Sequence, residues 1–171
     1  MMIQLFKYIQ TLRFLTLLLA MTGITFSLSA QEEPPRPMKV STYQHLSFGA
    51  FINASSGGTV TIDAGGSRSV TGDIIPVFQG MQYHPAIFEV EANPGVIISL
   101  MPGAPAVLSG SNGGTLLLNV GNSLPVSPFV NTTNPPFRTQ VMVGGTITVG
   151  SMLASPAGNY TGEFFITFIQ Q

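Results

Sequence analysis

Glu89 and Glu91 are the first residues in this chain whose type and spacing could do chemistry. Carboxylates two apart on a strand project from the same face. Paired carboxylates can run glycoside hydrolysis, where their separation sets the stereochemical outcome. His45 and His84 are the only histidines. A zinc or iron site needs three or four converging N, O or S ligands, and neither histidine has a His or carboxylate partner at ligand spacing. Asp63 and Asp73 flank a glycine-rich loop that holds Arg68 and could offer oxygens to calcium. No calcium-loop spacing surrounds them, and turn formation accounts for both. The hydrolase token Gly-x-Ser-x-Gly is absent. Gly65-Gly66-Ser67-Arg68 has neither phosphate-loop spacing nor a following helix. Without cysteine there is no thiol nucleophile and no thiolate metal site. The sequence therefore predicts a non-enzymatic protein with no cofactor and no metal, and Glu89 and Glu91 as a solvated strand face.

The N-terminus sets the expected location. Lys7 and Arg13 precede the apolar run from Phe14 to Met21, and small residues close the segment at Ser27-Leu28-Ser29-Ala30. Charge, then an apolar run, then small residues is the pattern of a secretory signal peptide. Cleavage is expected at Ala30, with Ser29 as the other possible junction. The apolar run is too short and too interrupted for a spanning helix, which wants about 20 largely apolar residues. No membrane span is expected after cleavage. The expected destination is the periplasm, the outer surface or the extracellular medium. The predicted organisation is a signal peptide over 1–30, a proline-rich leader over 31–38 and one domain over 39–171.

The elements that would hold any site are strands. Beyond residue 30 the chain has four bases, Arg36, Lys39, Arg68 and Arg138, against seven acids. No basic patch exists to neutralise phosphates, so nucleic acid is excluded as a partner. Short runs of period-two alternation are punctuated by Gly, Pro, Asn and Ser, as in an all-β sandwich or barrel. Strands are predicted at 40–48, 58–63, 67–71, 86–91, 96–100, 115–120, 139–149 and 160–169. Turns fall at Ala64-Gly65-Gly66, Ala92-Asn93-Pro94-Gly95, Ser111-Asn112-Gly113-Gly114 and Pro156-Ala157-Gly158-Asn159. The expected fold is one antiparallel β-sandwich, immunoglobulin-like or pilin-like.

Gly57-Gly58-Thr59-Val60-Thr61-Ile62 and Gly144-Gly145-Thr146-Ile147-Thr148-Val149 each set a glycine pair before an alternating strand. With Leu46-Ser47-Phe48-Gly49, Ala86-Ile87-Phe88-Glu89-Val90 and Ser155-Pro156-Ala157-Gly158-Asn159-Tyr160-Thr161-Gly162, they resemble a secreted bacterial family, domain-of-unknown-function family 4402. The resemblance covers about Leu46 to Phe168. It implies a fold and an exported protein, but no activity.

The C-terminal segment also resembles the closing strand of chaperone–usher pilin subunits, with Gly158, Tyr160, Phe164, Ile166 and Phe168 as candidate strand-pairing residues. In those subunits an incomplete sandwich gains a strand from a chaperone and then from the next subunit. Two departures stand out. Gln170 occupies the position where an aromatic is usual, and the prolines of the leader lack the N–H groups a donor strand needs. A donor would have to be Met38 to Phe48. The resemblance implies an assembly protein that pairs through edge strands, with itself, with other surface-appendage subunits or with a periplasmic chaperone. The alternative is an extracellular binding module for a glycan or small ligand. Its candidate loop runs from Gly121 to Thr139 and carries Phe129 and Phe137. Asn53, Asn131 and Asn159 open glycosylation-type triplets, which are chance matches in a bacterial protein.

Overall fold

The computed structural model of the protein describes Arg36–Gln171. The expected signal peptide, its cleavage point at Ala30 and leader residues 31–35 lie outside the described residues. The described chain folds into β1 Lys39–Gln44, β2 Ser47–Phe48, β3 Ala50–Ile62, β4 Arg68–Val77, β5 Tyr83–His84, β6 Ala86–Glu91 and β7 Ile97–Pro102. It continues with β8 Ala106–Gly110, β9 Thr115–Leu124, β10 Phe129–Val130, β11 Thr139–Val149, β12 Tyr160–Thr161 and β13 Ile166–Gln170. All the strand pairings are antiparallel. The expected all-β fold is what the chain adopts, in a sandwich-like arrangement.

β11 is the axis of the fold. One edge pairs with β9 from Met142 to Thr148. The other edge is shared: Thr139–Val143 pairs with β6, and Gly145–Val149 pairs with β3. The two halves meet at Gly144-Gly145. A Cβ on Gly144 would fall onto the Ile62 carbonyl at the end of β3, and one on Gly145 would stand 2.9 Å from Leu46 and 3.1 Å from Leu118. Opposite Gly144, β9 carries one extra residue at Gly121-Asn122, a bulge that bends the strand. Any side chain larger than hydrogen would separate strands that must touch.

Strict alternation puts Val141, Val143, Ile147 and Val149 of β11 inside, while Met142, Thr146 and Thr148 face out. The outer face is held by hydroxyl pairs across strands, Thr61 with Thr146 at 2.9 Å and Thr59 with Thr71 at 2.7 Å. Inside, two apolar clusters form. Val90, Val141 and Val143 of the large sheet pack on Ile98, Leu100, Phe129, Ile166 and Phe168 of a smaller sheet, β10-β7-β13. Phe88 and Phe168 meet edge to face at 5.5 Å between ring centroids. The second cluster gathers Val60, Leu108, Leu116, Leu118, Ile147 and Val149.

The predicted single strand over 160–169 is two strands in different sheets. β12 pairs with β8 in the large sheet, and β13 pairs with β7 in the small one. Gly162-Glu163-Phe164-Phe165 joins them outside either ladder, tied by the Gly103 N–H donating to the Phe165 carbonyl at 2.8 Å. β7 and β8 are separated in the same way, so two chain segments cross between layers side by side. The predicted strand 40–48 is likewise split into β1 and β2, with a bulge at Tyr43.

Asn131, just after β10, is 1% exposed and fully bonded. Its amide donates to the carbonyls of Ala92, Asn93 and Thr133, and its side-chain oxygen accepts from Thr139 at 2.6 Å. A buried polar group persists when its partners are all supplied. Asn131 pins the loop between β10 and β11, and its buried amide is no glycosylation acceptor.

Gly144→Ala should lower stability by about 1–3 kcal/mol, the usual cost of overpacking a close-fitted site. A urea unfolding midpoint checks this; an unchanged midpoint would mean that the β3–β6 junction tolerates a side chain.

Candidate functional site

The second apolar cluster is not closed by a sheet. It is covered by the β3–β4 ribbon, folded back on itself. Residues 54–57 of β3 stand opposite the single residue Asp73 of β4. Gly57 and Gly72 take φ of +79° and +68° there, a region that L side chains avoid. Arg68 pairs with Ile62, twelve residues along β3 from Ala50. A straight strand would separate those positions by about 40 Å. Yet Arg68 donates from one guanidinium nitrogen to the carbonyls of Phe48 and Ala50, at 3.2 and 3.1 Å. The bulge therefore bends the ribbon over the large sheet, and Phe48 and Phe51 land on the second cluster.

Arg68 clamps this cover. Its guanidinium lies 4.4 Å from the ring centre of Tyr83 and 5.4 Å from that of Phe78. Cation–π contact and two charge-assisted hydrogen bonds hold both chain segments. The Ser47 hydroxyl donates to the Gln82 carbonyl at 2.7 Å, and β2 pairs with β5. At the bulge, the Asp73 carboxylate accepts from the Ser55 hydroxyl at 2.7 Å and the Ser56 N–H at 3.0 Å. The Ser55 hydroxyl first, then the Ser56 groups, hold the Asp73 pKa below its ordinary value.

The cover does not seal. Between it and the segment 156–164 runs a groove of about 1010 Å³. Its floor is Leu108, Leu116, Leu118, Ile147 and Val149, and its walls are Phe48–Asn53 on one side and Tyr160, Thr161, Gly162 and Phe164 on the other. Met81 and Met152, 60% and 59% exposed, lie among its lining residues.

One wall is a vacant strand edge. β3 pairs with β4 from Ala50 to Asn53, but β11 reaches only Gly58–Ile62. Pro76 stands opposite Phe51 and has no N–H. The Phe51–Pro76 pair therefore cannot exchange two hydrogen bonds, and the ladder bonds fall at Ala50–Val77 and Ile52–Ile75. That alternation turns the backbone groups of Phe51 and Asn53 away from β4, where no strand lies among the described residues. On the opposite wall, Gly162 and Phe164 are also outside any ladder.

The groove gathers three of the five candidate strand-pairing residues. Gly158, Tyr160 and Phe164 line it, and the Tyr160 hydroxyl donates to the Pro156 carbonyl at 2.6 Å. Ile166 and Phe168 instead pack into the other cluster. Of the candidate loop, Phe129 is a core residue in β10, while Phe137 is 71% exposed in a turn closed by its N–H to the Asn134 carbonyl. The segment Met38 to Phe48, named as the possible donor, is engaged within its own domain through β1 with β6 and β2 with β5.

The residues that first suggested chemistry do not converge. Arg138 binds Glu89 at 2.9 Å and Glu91 at 3.6 Å, and Lys39 stands 4.0 Å from Glu91. The hydrogen bond to Glu89 is the main cause of the raised Arg138 pKa. This is a surface ion network on the wet face of β6. Asp63 accepts the Ser67 N–H at 2.8 Å in a turn. His84 lies in β5 opposite Ser47, and His45 lines the groove. Among the described residues no three His, Asp or Glu side chains stand close enough to hold a metal, and no helix is long and apolar enough to cross a membrane. Sequence reasoning missed Asn53 and the clamp role of Arg68, because both depend on the folded-back ribbon.

The fold and the groove define a class: an all-β, antiparallel, sandwich-like domain with one half of its core left open along a strand edge. The chain belongs to the family described as a domain of unknown function, DUF4402, which matches residues 38–169. No curated protein and no solved structure matches it.

Two outcomes follow from this geometry. Arg68→Met should cost about 1–3 kcal/mol and speed amide exchange in residues 46–53 and 78–84. Arg68→Lys should not restore either, because an ammonium lacks the planar fork. Asp73, with its lowered pKa, stabilises the fold fully above the ordinary aspartate value and loses that contribution as pH falls through its lowered one. Wild type and Asp73→Asn should therefore differ in urea midpoint at neutral pH and converge in acid.

Proposed function

We propose that this is a non-enzymatic assembly module of an exported, surface-directed protein, and that it works by taking an extended apolar strand from a partner into its groove. The partner is another copy of the chain or another appendage subunit, with a periplasmic chaperone as an earlier occupant. The observation that carries this reading is the coincidence of two features in one place. The floor is a row of core side chains, Leu108, Leu116, Leu118, Ile147 and Val149, and the wall beside it is the unpaired edge of β3. A guest strand would bury alternate side chains on the floor and gain main-chain hydrogen bonds along the wall, the physics of β-augmentation. Each Val or Leu side chain so buried contributes about 1.5–3 kcal/mol. A few positions suffice for micromolar affinity, about −8 kcal/mol, after ordering costs are met. The signal-like N-terminus, the low charge and the pilin-like residues Gly158, Tyr160 and Phe164 at the groove support the same reading. Donation by Met38 to Phe48 would require β1 to leave β6. β1 is the edge strand most easily released, since five of its six residues are exposed.

The test uses a fluorescein-labelled peptide that alternates Val and Thr, about ten residues long, the upper end of ordinary strand length. A single central Leu breaks its repeat. The purified protein should bind it saturably, and a peptide of the same composition with its apolar residues run together should bind far less. Because the chain has no cysteine, Met152→Cys gives one attachment point at the groove. The unlabelled variant should bind, and the same variant carrying a bulky maleimide should not. Absence of saturable binding up to about 1 mM, with an unchanging elution volume across concentration, would overturn the proposal.

A further inference from the structure

We infer that Asn53 reads the main chain of the strand in the groove: its side-chain oxygen accepts one backbone N–H of the guest and so fixes the guest's register. This rests on the strand-accepting reading of the groove.

The Asn53 amide nitrogen donates to the Gly150 carbonyl at 2.8 Å. That bond settles which way round the amide lies. Turned over, its oxygen would face another carbonyl oxygen. The side-chain oxygen therefore points the other way, and there it is buried without a hydrogen-bond partner. Among the described residues it is the only buried side-chain atom left in that condition. Buried acceptors are almost always satisfied, so an orphan asks what would satisfy it. Neighbouring donors are already spent: the Ser155 hydroxyl donates to the Thr115 carbonyl, and the Gly150 N–H donates to the Ser155 oxygen.

Asn53 lines the groove and ends the vacant stretch of β3. A strand laid along that edge presents an N–H toward it at every second residue. An acyl chain would fill the apolar floor equally well, but it carries no donor. Uncharged surroundings also disfavour an ionic guest, since no Asp, Glu, Lys or Arg lines the groove. The complementary guest is thus a polypeptide backbone. One polar contact at the groove's end, together with an apolar floor that alone would tolerate sliding, gives the guest a single alignment. Loss of that contact leaves affinity for greasy strands but removes the preference for one alignment.

The experiment is an N-methyl scan of the same fluorescein-labelled Val/Thr peptide, against wild type and Asn53→Leu. In wild type, methylation at one backbone position should weaken binding about tenfold more than at its neighbours of the same parity, equivalent to about 1.4 kcal/mol. Asn53→Leu should erase that excess while still binding the unmethylated peptide. A second readout avoids the variant: the side-chain carbonyl carbon resonance of Asn53 in wild type should shift with the unmethylated peptide and stay put with the one methylated at the sensitive position. Equal penalties in both proteins, or an unmoved resonance, would overturn the role of Asn53 while leaving the groove reading intact. Failure of the unmethylated peptide to bind would overturn both. An oligosaccharide that displaced the peptide and moved the same resonance would overturn the assignment to a main-chain donor.

Discussion

One strand must serve three neighbours, and the rest of the fold follows from how β11 does so. Its edge toward β9 is continuous, while its other edge is divided between β6 and β3. Two strand ends must therefore abut beside a backbone that leaves them no room. Gly144 and Gly145 meet that demand, with the Gly121 bulge of β9 across from them. The division also separates the core. The half of β11 beside β6 faces the small sheet, and the half beside β3 faces a bent ribbon. A sheet covers the first half. A ribbon kinked by a bulge covers the second only in part.

The groove is thus a consequence of connectivity. β3 cannot pair with β11 and also lie flat over the opposing layer, so it bends where residues 54–57 face Asp73. The bend needs glycine dihedrals, a carboxylate to gather the loose N–H and hydroxyl groups, and an anchor for the far end. Gly57, Gly72, Asp73 and Arg68 supply these in turn. Beyond the bend, the strand edge that would have continued along β11 has no strand beside it among the described residues. Apolar floor and unpaired edge arise together because one distortion produces both.

Much of this was legible in the sequence where a segment has one role. Ala86 to Glu91 alternates as read, with Ala86 and Val90 buried and Glu89 and Glu91 turned to water. The glycine pairs read as leading into alternating strands lie within them instead, Gly57-Gly58 inside β3 and Gly144-Gly145 inside β11. What stayed hidden was any segment that changes layers. The apolar positions of 160–169 look like one strand because Tyr160, Phe164, Ile166 and Phe168 share parity, and parity survives a crossover that hydrogen bonding does not. The adjacent Phe164 and Phe165, one packed and one 72% exposed, are the local trace of that break. β8 went unread because Ala106-Val107-Leu108 is brief and prolines precede it. Asn53 drew notice only as the start of a glycosylation-type triplet, with no signal of its place at the groove. Its meaning comes from Gly150, ninety-seven positions away, and no local pattern encodes such a distance. Glu89 and Glu91 drew notice by type, although their role is settled by Arg138 across the strand pair.

Pro76 has an effect on the side of the ribbon that faces away from β3. The ring nitrogen that denies β4 a bond toward its outer flank interrupts what would otherwise be a long bare row of donors and acceptors. Such rows seed amyloid-like stacking of one molecule on the next. Here the stacking template is broken on the flank where extension would be unregulated, and left whole on the inner side of β3, where access is narrow and lined with apolar side chains. A crowded population of these domains would consequently resist edge-to-edge stacking along that flank.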